Sequence, residues 1–156
     1  MNEKQIKRLS AADHISDDEI VISLERTPCF GPCPAYSLMI FSDGRVIYQG
    51  NKYVAVEGKR KYKIPKYKIK ELVKHFHRIG YFDLKDLYEP IATDGPGCIT
   101  CISINGHTKR VAHWHPSNAP PSLDELEEKI DEIAGSTKFV KKSDKYSLEL
   151  GVWGLK

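Results

Sequence analysis

No stretch of this 156-residue chain approaches the run of about 20 apolar residues that a membrane-spanning helix needs, so such a helix is excluded. The opening segment, Met1 to Arg8, lacks the apolar core of a secretory signal, and no export is expected. A Gly-rich phosphate loop, a His-Glu-x-x-His pair and a nucleophile elbow are all missing, so no catalytic residue can be assigned by motif. Internal repeats and low-complexity segments are absent as well. Cysteine is scarce, with four residues, and the expected compartment is the reducing cytoplasm, where structural disulfides are rare. That shifts the weight for the cysteines toward free thiols or metal ligands.

What is present fits a soluble globular chain: 40% of residues are hydrophobic and 29% charged. A chain near this length buries about 70% of its unfolded surface, enough for a core that needs no cross-link. Residues 1–18 read as a polar lead-in, 19–136 as one domain, and 137–156 as a C-terminal extension. Ile20, Ile22 and Leu24 fall on one face of a two-residue period, as do Tyr36, Leu38 and Ile40 between Ser37 and Met39, which predicts two strands. Asp43-Gly44 predicts a hairpin turn into a third strand, Arg45 to Gln49, and Tyr53 to Val56 reads as a fourth. After Pro65, the stripe Ile69, Leu72, Val73, Phe76 and Ile79 predicts a helix that Gly80 can end. Residues 81–97 read as a connecting segment. Cys98 to Ile104 and His107 to His115 flank Asn105-Gly106, a strong hairpin signal because the favoured turn needs positive φ at both central residues. A second helix is expected over 122–134, with Ser122 and Glu125 as a capping box and Gly135 as the stop. The class is α+β: an antiparallel sheet, a four-strand meander plus a C-terminal hairpin, with two helices packed on one face. Alternation over Tyr146, Leu148, Leu150 and Val152 adds a strand that could pair with a sheet edge of its own chain, of a protein partner or of a second copy.

Chemistry concentrates at Arg26-Thr27-Pro28-Cys29-Phe30-Gly31-Pro32-Cys33-Pro34-Ala35-Tyr36. Each proline fixes its own φ and biases the residue before it, so Cys29 and Cys33 stand in a restricted relation. Their Cα atoms are expected within about 7 Å, close enough for a disulfide or a shared ion. Zinc takes about four ligands, and Cys98-x-x-Cys101 supplies a second pair. The odd offset between Cys98 and Cys101, however, puts them on opposite faces of a regular strand. A mixed site is the other metal reading. A two-residue loop at Asn105-Gly106 sets Cys98 opposite His113, and His115 shares that face. Against both stands the plainer reading that the cysteines are small core residues and the histidines flank a buried tryptophan. Thioredoxin-like chemistry fits poorly, because no helix begins at Cys29.

The quoted loop, together with Asp43-Gly44 and Thr93-Asp94-x-Pro96, resembles the family called domain of unknown function 6438, over about residues 20–134. The resemblance implies a shared small domain with no established activity. It implies nothing for Cys98, Cys101, His113 or His115. Arg26 and Asp94 could pair beside the cysteine loop, forming with Cys29 and Cys33 a candidate functional loop.

Between Lys59 and Arg78 nine basic residues face one acid, Glu71, while the whole chain carries only +3. Tyr62 and Tyr67 interleave, so Lys66, Lys70 and Lys74 are the expected polyanion or nucleic-acid contacts. The plain alternative is a solvated helix face. The helix over 122–134 is acidic instead. These readings define a small cytoplasmic binding or interaction module. A metal- or thiol-dependent protein, with zinc as the ion, and a polyanion binder stay open beside it.

Overall fold

Seven strands and three α-helices alternate along the computed structural model, which describes residues 19–92 and 95–141. They are β1 (Ile20–Arg26), β2 (Ala35–Phe41), β3 (Arg45–Lys52), β4 (Gly58–Lys63), α1 (Lys66–Arg78), β5 (Leu87–Tyr88), β6 (Gly97–Ile104), β7 (His107–Trp114), α2 (Pro121–Ala134) and α3 (Thr137–Val140). One sheet holds all seven strands in the order β4-β3-β2-β1-β6-β7-β5, antiparallel throughout except that β5 runs parallel to β7. The fold is therefore α+β, with α1 and α2 against one face of the sheet.

Period-two burial explains the layering. Ile20, Ile22 and Leu24 of β1 are buried beside Leu38 and Ile40 of β2 and Ile102 and Ile104 of β6. Onto them α1 lays Ile69, Leu72, Val73 and Phe76, and α2 lays Leu123, Leu126, Ile130 and Ile133. Each such side chain contributes about 1.5–3 kcal/mol on full burial, so this interface is the main source of stability. Lys129 of α2 meets Glu71 of α1 at 3.3 Å across the helix pair. Gly80 ends α1 in the left-handed region, at φ 68°, as the stripe and its glycine predict.

Three expectations need correction. Residues Tyr53 to Val56 are not a strand: Tyr53 has φ 56°, and the Ala55 and Val56 amides donate to the Val140 and Phe139 carbonyls of α3. The fourth strand is the lysine-rich Gly58–Lys63, whose only large apolar side chain is Tyr62. Hydropathy hides it because it is an edge strand, and edges are protected by charge. Second, α2 starts at Pro121 with Pro120 as its N-cap, so Ser122 lies inside the helix and forms no capping box. Third, the connecting segment contributes the short β5, held by its register with Ala112 and His113. Residues from 137 onward, read as an extension, begin with α3, whose Phe139 ring lies 5.0 Å from that of Tyr48. The 1–18 lead-in and the Tyr146 to Val152 strand lie outside the described residues.

Candidate metal centre

Strand register sets four polar side chains in one row across the sheet. Tyr36 of β2 pairs with Arg26 of β1, Arg26 with Cys98 of β6, and Cys98 with His113 of β7. The Cys98–His113 pairing is the one that a two-residue Asn105-Gly106 loop requires. All four belong to the face that α2 covers. From that helix Asp124, Glu127 and Asp131 stand at i, i+3 and i+7, so their side chains project along one side toward the row.

The contacts divide into two linked groups. On one side, Arg26 Nε donates to Tyr36 Oη at 2.9 Å, and Arg26 Nη2 lies 3.2 Å from Asp131 Oδ2. Tyr36 in turn donates to the Asp131 carboxylate at 2.8 Å, and Ser136 Oγ donates to Asp131 Oδ1 at 2.6 Å. Burial alone would lower the Arg26 pKa, but the Asp131 carboxylate and the hydrogen bond to Tyr36 help outweigh it and hold the guanidinium charged well above its ordinary range. Burial, reinforced by Asp131, likewise raises the Tyr36 phenol and keeps it protonated.

On the other side, His113 Nε2 is hydrogen-bonded to Glu127 Oε2 at 2.5 Å, and both side chains are almost fully buried. His115 Nε2 lies 3.3 Å from Asp124 Oδ1, and the two imidazole rings are 5.0 Å apart. One ligand atom from each of His113, His115, Asp124 and Glu127 falls within 4.8 Å of all the others. Arg26 Nη1, 4.0 Å from Glu127 Oε1, joins the two groups. Asp124 Oδ1 is a buried carboxylate oxygen with no hydrogen-bond partner among the described residues, although it sits beside two imidazoles. Such an atom is costly unless a cation or donor satisfies it.

This arrangement corrects the cysteine readings. Cys29 and Cys33 are joined in a disulfide with Cα atoms 5.7 Å apart, inside the expected distance but leaving no thiolate for a metal. Cys101 pairs with Ser23 and Arg110 on the face away from the helices, so four cysteines do not converge. Cys98 is buried in the row, and its thiol is raised by burial first and by Glu127 second, which keeps it a neutral neighbour of the cluster. The trio Cys98, His113 and His115 is thus replaced by His113, His115, Asp124 and Glu127. Arg26 finds Asp131, while Asp94 lies outside the described residues.

Asp124 and Glu127 were hidden in what reads as a solvated acidic helix. A signal was available: Glu127 falls within the stripe Leu123, Leu126, Ile130, Ile133, where a solvated acid has no place. As for the basic stretch, Lys66 and Lys74 are exposed and Lys70 half-buried on α1. Tyr62 of β4 reaches Ala134 of α2, so Lys61 and Lys63, one residue to either side, project from the opposite face. The basic run is therefore divided between two layers.

A cleft of about 670 Å³ opens beside the cluster, lined by Arg26 and Tyr36 of the row, by Asp131 of α2, by His115 and by Cys33 of the disulfide loop. Gly95 and Gly97 permit close chain approach there: a Cβ on Gly95 would lie 1.5 Å from the His115 carbonyl oxygen, and one on Gly97 2.7 Å from Trp114 Nε1. Among the described residues no helix is long and apolar enough to cross a membrane. No curated protein sequence matches the chain. Residues 20–134 match the family model described as Domain of unknown function (DUF6438), and the chain belongs to that family.

Proposed function

We propose that the domain binds one divalent transition-metal ion, zinc foremost, through His113, His115, Asp124 and Glu127. The observation that carries the reading is the buried Asp124 Oδ1, without a hydrogen bond among the described residues and set 3.3 Å from His115 Nε2 and 3.9 Å from His113 Nε2. Charge supports it. One guanidinium, Arg26, faces Glu127 and Asp131, and Asp124 adds a third carboxylate, which leaves two negative charges for a divalent ion to balance. Nitrogen and oxygen donors in equal number suit zinc and its neighbours better than calcium or magnesium. Metal on His113 Nε2 puts the proton on Nδ1, which is buried without an acceptor among the described residues. Metal-bound imidazoles ordinarily have that second partner, and its loss lowers affinity about 10–100-fold. The centre is therefore a moderate-affinity site of a binding module, open on the side of the cleft.

Neither Cys29 nor Cys33 takes part, so the proposal holds in the cytoplasm, where the pair would be a dithiol, and in an oxidising compartment alike. Equilibrium dialysis against zinc, followed by elemental analysis, tests it. One zinc per chain is expected for the wild type and none for the His115→Ala, Asp124→Asn double variant. Equal zinc in both proteins would refute the assignment.

A further inference from the structure

We infer that the cleft beside this centre receives a small ligand headed by an oxyanion, with a monoanionic carboxylate favoured over a phosphate dianion. The inference rests on the metal reading and names what the centre's open side is for. Two of the four ligands, His113 and Glu127, are shut away at 1% and 2% side-chain exposure, while His115 and Asp124 stand at 49% and 42%. An ion held by all four is therefore enclosed from below and reachable from one side. That side is the cleft, because His115 lines it. At about 670 Å³ the cleft lies within the range of small-molecule sites.

Arg26 lines the same cleft and is fixed in orientation. Its Nε is held by Tyr36 and its Nη2 by Asp131, which Tyr36 and Ser136 hold in turn. Nη1 stands 4.0 Å from Glu127 Oε1, beyond hydrogen-bond reach. A ligand oxygen on the metal would thus find a charged, preorganised N–H donor next to it, the arrangement in which guanidinium groups bind carboxylates most strongly. Lys141 lines the cleft as a second cation.

The acids of the lining set the charge limit. Asp131 is committed to Arg26, Tyr36 and Ser136, and Glu132 lies 3.6 Å from Lys129. Glu128 remains on the wall, without an ion pair among the described residues. Its charge opposes a dianion more than a monoanion and favours a ligand whose remainder is neutral or cationic.

The test uses the full chain loaded with cobalt(II), whose visible bands report its coordination. Acetate, glycine and inorganic phosphate are titrated in turn. The inference expects saturable band shifts with acetate and glycine, and weaker or no shifts with phosphate. Arg26→Gln should weaken acetate binding about tenfold or more, whereas Arg26→Lys should restore part of it. Should Arg26→Gln misfold, Lys141→Gln, at an exposed position, should still weaken acetate binding. Cobalt bound with bands that no anion moves would overturn the inference and leave the metal centre standing. Phosphate outcompeting acetate would overturn the charge preference. A chain that takes up no cobalt would end both.

Discussion

At the scale of single residues, the two histidines of the cluster have different environments and should fail differently. His113 is buried and bonded to an equally buried Glu127. Replacing it by alanine leaves that carboxylate without its partner, at an expected loss of about 3 kcal/mol in denaturant unfolding, together with the metal. His115 is half-exposed, so His115→Ala should abolish metal binding while changing stability by no more than about 0.5 kcal/mol. Equal destabilisation by both would mean that His115 is a structural residue. Gly95→Ala is a third probe, because its Cβ would collide with the His115 carbonyl and displace the ligand without touching it chemically. A wild-type zinc affinity in Gly95→Ala would show that the site tolerates that shift. At this scale the sequence was legible where one strand decides the outcome. The Asn105-Gly106 turn put Cys98 opposite His113 and aimed His115 the same way. Asp124 and Glu127 were not legible, because which side of an acidic helix meets a sheet depends on packing between elements distant in sequence.

Among the elements, the loop between β1 and β2 is the one whose reading changed most. Its prolines and the 5.7 Å Cα separation of Cys29 and Cys33 agree with the expected geometry, yet the thiols are joined. Closing so short a loop adds less than the roughly 3 kcal/mol of a 15-residue loop, and β1 and β2 are already paired along their length. The Cys29→Ser, Cys33→Ser variant should therefore fold, lose only about 1–2 kcal/mol and keep its zinc. Loss of zinc in that variant would return the cysteines to the site. The meander's fourth strand lies later than its hydropathy indicates, for an electrostatic reason. Lys59, Arg60, Lys61 and Lys63 occupy β4, the edge of the sheet, where charge prevents edge-to-edge pairing. Lys59→Thr with Lys61→Thr should promote self-association, seen as added mass in light scattering; a strictly monomer-like profile unchanged from wild type would remove that explanation for the lysines.

For the molecule as a whole, the α+β class and the two-helix layer follow from periodicity, since apolar positions two apart in strands and three or four apart in helices can be buried together in few ways. The site is different, because it appears only when four strands and a helix are in register. Alkaline titration probes that assembled state. Burial, with Asp131 second, pushes the Tyr62 phenol up to about 12, and burial raises Tyr36 and Tyr81 as well. The folded chain thus holds protons that the unfolded chain releases near pH 10, so this stabilisation is complete below about pH 10 and is lost as the pH rises toward about 12. Unfolding should then accompany tyrosinate absorbance, and full tyrosine ionisation at pH 10 without unfolding would contradict the burial of these rings. The central claim, however, is the metal centre, and anomalous diffraction from crystals of the zinc-loaded chain tests it most directly. The account predicts one anomalous peak bounded by His113, His115, Asp124 and Glu127, on the side open to the cleft. A peak at Cys29 and Cys33 instead, or none in this cluster, would contradict it.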